Sequence, residues 1–325
     1  MLDNLIFSVN GVLPIFAVAL VGYILKNTGF LTDSFVSVAD KLVFKVLLPC
    51  LLFTKVAYLD STSVGKEELK LLVFCLVSAL ALCVLLCVTV PLFVKDRAKV
   101  GSFVQGVFRS NVAFLGIPFA ISLFGDEGGA LTAVVLAAIV PLYNVLAVTV
   151  LCIFNPERNS SVSPLKRIGG IIKGIITNPL IDAIVLALPF GIFGIGSYLP
   201  SAVTKTVGYF AEASTPLAIL LVGASFTFEA FHGRAGLAIC ASVLKTAVSP
   251  AVFMAIAHLA FGFTGVHLGV VMIVFGTPTA ISSYIMAKNM NADGHLANQI
   301  VLLTTLFSMF TVFVFTVVMK TFGLF

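Results

Sequence analysis

Charged side chains are scarce in this sequence. Only 10% of its 325 residues are Asp, Glu, Lys or Arg, whereas a soluble globular domain carries roughly 25%. Hydrophobic residues make up 60%, and the mean hydropathy is +1.15. This balance excludes an ordinary soluble protein and predicts an integral membrane protein, with the lipid bilayer as its surroundings. The net charge of +5 comes from the connections between apolar runs, so it bears on membrane orientation and predicts no nucleic-acid partner.

Catalytic and metal-binding motifs are also missing. The sequence has no His-Glu-x-x-His, no Gly-x-Ser-x-Gly and no Gly-rich phosphate loop, which are motifs of common enzymes. Its six cysteines lack metal-ligand spacing, and we interpret them as small buried hydrophobic residues. An intramembrane enzyme is the main rival class, but no pair of nucleophile and base is evident. We therefore predict that the protein is not an enzyme and holds no metal and no cofactor.

Apolar runs of about 20 residues, the length that crosses a bilayer as a helix, recur along the chain. The first 25 residues are too long and too weakly basic for a cleavable signal, and we expect them to form the first span. The polar residues 155–167 are predicted to be a short cytoplasmic linker between repeats at 1–154 and 168–325. The sequence predicts ten transmembrane helices, at about residues 5–26, 35–58, 69–94, 99–124, 128–154, 168–194, 203–228, 235–262, 265–288 and 295–322.

A short phrase occurs twice, 160 residues apart: GIPFAIS at residues 116–122 and GTPTAIS at residues 276–282. A Pro two residues after a Gly removes one backbone donor and loosens the helix around it. In hydrocarbon such a break persists only where protein or a wet cavity covers the freed backbone groups. Interrupted helices at matching places in two halves of a membrane protein indicate a transporter's binding site. The phrase therefore predicts a transporter whose substrate path lies near both breaks.

Other positions also correspond between the two halves. Pro49 in span two and Pro216 in span seven each lie four residues after a charged side chain, Lys45 and Glu212 respectively. Because each predicted repeat contains an odd number of helices, the second repeat must enter the membrane from the opposite side. The sequence therefore predicts an inverted repeat of five plus five helices.

The distribution of Lys and Arg predicts the orientation, because cytoplasmic loops carry an excess of both. One face has ten of them and the other has five. The first set is Lys26, Lys95, Arg97, Lys99, Arg158, Lys166, Arg167, Lys173, Arg234 and Lys288, and the second is Lys55, Lys66, Lys70, Lys205 and Lys320. We expect a multi-pass protein of the cell membrane, inner or plasma, with both termini outside.

Several segments are similar to a known family. FRSNVAFLGIPF at residues 108–119 resembles the fourth span of the auxin efflux carriers, and PTAISSYIMAK at residues 278–288 resembles the matching span of their bacterial members. LLPCLLF at residues 47–53 and the pair Asn178 and Pro179 are similar to parts of the second and sixth spans. The chain thus resembles a bacterial member of this family, similar to the malate and organic-anion permeases.

The resemblance implies the crossed-helix fold of sodium/proton antiporters and bile-acid symporters. Spans one, two, six and seven would form a scaffold, and the remaining spans would form a transport part that moves like an elevator. Broken helices four and nine would cross at Pro118 and Pro278. The implied activity is secondary active transport of an organic anion, such as auxin in plants or malate and malonate in bacterial relatives. The resemblance also suggests a homodimer, and it leaves H⁺ and Na⁺ open as coupling ions.

Two departures from the plant carriers argue against auxin itself. The central loop is short, and Ala137 lies where plant members place a polar Gln near the site. An efflux carrier for an auxin-like indole carboxylate, a channel and a sensor on the same fold are the alternative functions. Saturable transport with counterflow distinguishes a carrier from a channel.

The candidate substrate-binding residues cluster around the predicted breaks. Half-helix N-termini there would direct their positive dipole ends at a carboxylate. The alternative for the amide in this set is an interhelical hydrogen bond, and for each hydroxyl it is capping of loosened backbone. The candidates are Asn111, Gly116, Pro118, Gly276, Thr277, Pro278, Thr279, Ser282, Pro49 and Asn178.

Charged residues inside spans are the candidates for ion coupling or gating, because burying a charge costs several kcal/mol unless it is paired or wet. They are Asp182, Glu212, Lys45 and Arg109; Asp40, Lys41 and Lys245 also lie inside spans. Lys45 and Glu212 occupy equivalent positions, so we expect them to pair where helices two and seven meet. Arg109 either recruits anions at the inner mouth or extends its charged head to the interface.

Overall fold

The computed structural model describes residues 2–58, 65–156, 177, 179–226 and 236–325. Over these residues the protein is helical and has no strand, only one isolated backbone bridge. The predicted all-α class is confirmed for this part of the chain, since a helix satisfies its own backbone groups in hydrocarbon. The helices are α1 (Leu2–Asn27), α2 (Asp33–Leu42), α3 (Leu48–Ala57), α4 (Lys66–Phe93), α5 (Arg97–Phe108), α6 (Ile117–Ile153), α7 (Pro179–Ile192), α8 (Ser201–Ala224), α9 (Gly236–Val243), α10 (Ser249–Phe261), α11 (Gly265–Gly276), α12 (Ser282–Asn289) and α13 (Gly294–Thr321).

Six helical segments within the described ranges are long and apolar enough to cross a bilayer. They are Ile6–Asn27, Lys66–Phe93, Val112–Ile153, Ser201–Ala224, Gly236–Phe261 and Gly294–Thr321, and two shorter apolar helices are Pro179–Gly191 and Gly265–Gly276. The third segment contains Gly125 at φ 63° and ψ −151°, which interrupts its helical geometry and is a conformation that glycine adopts without steric cost. The protein is a multi-pass membrane protein, and ten spans in an inverted repeat stay a prediction.

Three of the prolines each lie two residues after the end of a π-helical turn. Proline lacks a backbone donor, and its ring clashes with the carbonyl four residues earlier. A wider turn, with hydrogen bonds from i to i+5, accommodates the ring and keeps the helical run continuous. The turns are Val43–Leu47 before Pro49, Val112–Gly116 before Pro118 and Leu244–Val248 before Pro250. Span four is interrupted before Gly116 and Pro118, at residues 109–111, and the chain is helical through Gly116 and Pro118, so the predicted position of this break is wrong.

The chain divides into two compact units. Unit 1 comprises Met1–Leu72, Ala113–Ala137 and Ile172–Phe226, and unit 2 comprises Val73–Val112, Ala138–Ile171 and Thr227–Phe325. Each unit takes segments from both halves of the sequence. The repeat boundaries at residues 1–154 and 168–325 stay a prediction.

Unit 1 is built around a close approach of two helices. Helix α1 packs along α8, and α3 packs against α7 and α8. A β-carbon on Gly22 would lie 2.0 Å from the carbonyl oxygen of Leu220, and one on Gly223 would lie 1.8 Å from the carbonyl oxygen of Ala19. Only a hydrogen atom fits at both positions, so the two backbones touch, as small residues permit between membrane helices.

Unit 2 has its core around α11. All residues of this helix from Leu268 to Gly276 are buried. Helix α10 packs against α11, and α13 contacts α5, α9 and α12. Phe253 of α10 stacks on Phe275 of α11 with ring centroids 4.3 Å apart. These contacts surround the point where α5 and α11 both end, and that point carries the candidate site.

Candidate functional site

Two interrupted helices meet inside unit 2. Helix α5 ends at Phe108 and α11 ends at Gly276, and both are followed by extended residues. The two extended segments form an antiparallel bridge between Ser110 and Thr279, and the N–H of Asn111 donates to the carbonyl oxygen of Pro278 at 2.8 Å. The broken ends thus satisfy each other's backbone groups, as irregular backbone inside a membrane requires.

Side-chain hydroxyls complete the backbone hydrogen bonding at this crossing. Thr279 Oγ1 donates to the carbonyl oxygen of Gly106 at 2.6 Å, and Thr304 Oγ1 accepts from the N–H of Thr279 at 3.0 Å. Ser110 Oγ donates to the carbonyl oxygen of Val274 at 2.5 Å. The Thr279 hydroxyl thus satisfies backbone loosened by the breaks, as the capping alternative to substrate contact requires.

The ammonium group of Lys245 lies at the crossing. Its Nζ donates to Ser110 Oγ and, at 3.0 Å, to the carbonyl oxygen of Phe275, and the side chain is fully buried. It lies in the π-helical turn before Pro250. No carboxylate pairs with it among the residues that the structure describes. The sequence marked Lys245 as a charge within a span, but no sequence signal placed it at the crossing.

Arg109 is the second cation, and it lies in the first break. Its side chain donates from Nη1 to the sulfur of Met286 at 2.7 Å and from Nη2 to Oδ1 of Asn144 at 2.8 Å. The residue is only 7% exposed, so the alternative in which its head extends to the interface is wrong. Within the described ranges no acidic side chain forms an ion pair with Arg109.

Three oxygen atoms near the second break have no hydrogen-bond partner in the described part of the chain. They belong to the side chains of Gln105, Thr277 and Ser283, and all three atoms are buried. The amide nitrogen of Gln105 donates to the backbone oxygen of Ser283 at 2.7 Å, which places two of these side chains next to each other. Buried polar groups without partners are rare and call for an explanation; a ligand or water is one.

Comparison with known sequences identifies the family. The profile of a family described as membrane transport protein matches residues 7–316. The chain belongs to this family, that of the auxin efflux carriers.

Two archaeal relatives support this membership. An uncharacterized transporter of Methanocaldococcus jannaschii is 25% identical over 303 residues, which cover 93% of this chain and 95% of the relative. An uncharacterized transporter of Methanothermobacter thermautotrophicus is 24% identical over 319 residues, which cover 96% and 98%. The similarity therefore extends over nearly the full length of all three proteins, both units included.

The predicted substrate contacts divide between the two units of this transport protein. In unit 2 the crossing brings together Asn111, Gly276, Thr277, Pro278, Thr279 and Ser282, with Arg109 beside them. Gly116, Pro118 and Pro49 belong to unit 1, where the two prolines follow π-helical turns. Asn178 lies outside the described residues. Lys245 and Met286 were not among the predicted contacts, since only the folded chain places them beside Ser110 and Arg109.

The charged candidates of unit 1 do not form the expected pair. Helix α8 contacts the π-helical turn that carries Lys45, but no ion pair joins Lys45 to Glu212, and both side chains are exposed. The proposed pairing is wrong. Lys55 forms an ion pair with Asp126 instead, and a cavity of about 340 Å³ borders Lys55, Glu212 and neighbouring threonines. Asp182, near the start of α7, is exposed.

Two threonines at the second break provide a matched test of capping against substrate contact. We expect Thr279→Val to lower the free energy of unfolding by about 1–3 kcal/mol, since it leaves the buried carbonyl of Gly106 without its donor. Thr277→Val removes a hydroxyl that has no partner among the described residues, so its stability should be unchanged or slightly higher. Thermal unfolding in detergent measures both. A Thr279→Val protein as stable as the wild type would contradict the capping role.

Proposed function

We propose that this membrane transport protein is a secondary active carrier of a small organic anion, a carboxylate, and that it works by elevator-like alternating access. The observation that carries this proposal is the pair of buried cations at the crossing, Arg109 and Lys245, which have no acidic partner among the described residues. An unpaired charge at membrane depth costs several kcal/mol. A bound anion offsets that cost, whereas a cationic or apolar ligand leaves it in place.

The broken helices favour the same sign of ligand. Helix α12 begins at Ser282, directly after the second break, and the helical run that contains α6 begins at Val112, directly after the first. Helix N-termini carry a partial positive charge and unsatisfied N–H groups. Asn111 lies between Arg109 and the helical run that begins at Val112. It is 8% exposed, and its amide can donate to a carboxylate. Three independent features therefore favour an anion at one crossing.

The division of the chain supports separate scaffold and transport parts. Most residues of spans one, two, six and seven lie in unit 1, and most of those of spans three, eight, nine and ten lie in unit 2. Residues 113–137, from spans four and five, group with unit 1 rather than with the transport part that the resemblance implies. The elevator proposal thus includes ten spans in an inverted repeat, with both termini outside, in the cell membrane. The coupling ion is H⁺ or Na⁺, and a homodimer is the proposed assembly.

Transport by purified protein in proteoliposomes tests the proposal. Uptake and counterflow are measured with labelled malate, malonate and indole-acetate, for the wild type, Asn111→Ala and Asn10→Ala. We expect saturable flux and counterflow of at least one of these anions. Asn111→Ala should raise KM by about tenfold or more, because a hydrogen bond to a charged group contributes about 1.5–3 kcal/mol. Asn10, exposed on α1 in unit 1, is the control and should behave like the wild type.

Each contrary result has a separate meaning. Absence of flux for every carboxylate, with protein that unfolds cooperatively, overturns the organic-anion assignment. Flux without saturation and without counterflow indicates a channel. Transport of indole-acetate alone supports the auxin-like efflux carrier.

A further inference from the structure

The two buried cations differ in what their donors contact. Lys245 is fully buried and donates to a hydroxyl and to a backbone carbonyl, both hydrogen-bond acceptors of ordinary strength. Arg109 donates from one terminal nitrogen to an amide oxygen and from the other to the thioether of Met286. A thioether sulfur is a weak acceptor, and for a guanidinium it is a poor replacement for a carboxylate oxygen. Arg109 is thus the cation whose hydrogen bonding is incomplete.

We propose that Arg109 binds the substrate carboxylate directly and that the Met286 sulfur occupies the carboxylate position until substrate arrives. This inference rests on the proposed transport of an organic anion. Met286 is only half-buried, on the eight-residue helix α12. Methionine is unbranched and has three rotatable bonds. Its side chain can therefore turn away from Nη1 while the backbone of α12 stays in place.

Asn144 orients the guanidinium and completes the site. Its amide oxygen accepts from Nη2 of Arg109, and an arginine can only donate, so the NH₂ group of the amide must point the other way. That NH₂ group is a further donor beside the guanidinium. A planar carboxylate accepts from two N–H groups of the guanidinium, one of them on Nη1, a two-point contact that arginine favours and lysine does not reproduce.

The contact predicts a ligand class. The site takes a carboxylate, because its donors suit two oxygens held in one plane. Chloride is a single atom and cannot make the two-point contact, so it should compete weakly. The carboxylate end of the substrate lies at Arg109, and the rest of the molecule extends away from the buried side of the guanidinium. Arg109 therefore determines selectivity among anions, and Lys245 contributes a second positive charge at the crossing.

Anion binding to purified protein in detergent is the first test, with malate, malonate and indole-acetate as probes and sodium chloride for comparison. Arg109→Lys keeps the charge but loses the planar fork, and we expect it to weaken carboxylate binding about tenfold. Arg109→Gln should weaken it further, and Met286→Leu, which removes the sulfur that competes with the carboxylate for Arg109, should tighten it. The control is Lys288→Gln, which removes an exposed positive charge on the same short helix and should change binding less than about threefold.

Met286→Glu is a test in which the expected loss of binding comes with a gain of stability, so misfolding cannot explain it. A glutamate at this position supplies Arg109 with an internal carboxylate, so we expect a higher melting temperature together with loss of carboxylate binding. Met286→Gln, of the same shape but uncharged, offers only an amide oxygen to Arg109 and should raise the melting temperature less and weaken binding less. A lower melting temperature for Met286→Glu than for Met286→Gln overturns the proposed placement of the sulfur.

The outcomes distinguish this inference from the proposed function. If the wild type transports a carboxylate and Arg109→Gln does so with unchanged KM, the role of Arg109 is wrong and the carrier assignment stands. If the wild type neither binds nor transports any carboxylate, the proposed function itself fails. Equal inhibition by chloride and by the carboxylates overturns the selectivity role.

Discussion

Replacing Gly223 by alanine is expected to be among the most destabilising single-methyl changes in this protein. The new β-carbon would lie 1.8 Å from the carbonyl oxygen of Ala19 and 2.5 Å from its carbonyl carbon. Both atoms are backbone, so no side-chain rotation relieves the contact and α1 must move away from α8. Overpacking of this kind costs about 1–3 kcal/mol, and a contact between two backbones belongs at the upper end. We expect a melting temperature about 5 °C or more below that of the wild type.

Gly208 provides the matched control on the same helix. It also lies in α8, but no atom lies within 4 Å of the position that its β-carbon would take. Gly208→Ala should therefore be neutral or stabilising by up to about 1 kcal/mol, since alanine is the better helix former. Thermal unfolding of the two variants in one detergent gives the comparison. Equal melting temperatures would show that α1 and α8 do not touch at Gly223.

Replacing Lys245 by methionine is expected to impair anion binding while the protein stays folded. Methionine fills most of the volume, and removing a buried ammonium also removes its desolvation cost, so the melting temperature should change little. The crossing nevertheless loses a positive charge. If a bound carboxylate lies ~10 Å from the ammonium group of Lys245, the two charges attract each other by about 1.7 kcal/mol at an effective dielectric constant of ~20. We therefore expect the Kd for carboxylates to rise about tenfold or more.

Lys205→Met controls for the loss of one positive charge elsewhere, because Lys205 is exposed on α8 in unit 1. Its carboxylate affinity should equal that of the wild type within about twofold, since solvent and salt screen an exposed charge. Binding isotherms at two salt concentrations measure both variants. Wild-type affinity in a folded Lys245→Met protein would exclude Lys245 as a contributor to the anion site.

The sequence was informative about the second break and misleading about the first. Both predicted breaks carry Gly-x-Pro. At the second, α11 stops at Gly276 before Pro278, whereas at the first the helix is interrupted earlier, at residues 109–111, and Pro118 follows a π-helical turn inside a continuous helical run. A proline requires some local change in the helix. Whether that change is a widened turn or a full break depends on whether another segment satisfies the freed backbone groups. At Pro278 the N–H of Asn111 does so.

Pattern and composition by themselves determined the membrane class and the helical fold, because these depend on long apolar runs and on the local effect of proline and glycine. The family was indicated by the resemblance of short segments, such as residues 108–119, to a known family. Candidates close to a break in sequence, such as Asn111 and Thr279, were also within reach of that reasoning. Only the tertiary structure decided which cations meet there. Lys245 and Met286 lie 135 and 177 residues from the groups that they contact, and no periodicity encodes such a distance. The same reason explains why Lys45 and Glu212, equivalent by position, do not form an ion pair: equivalence of position does not bring two side chains together.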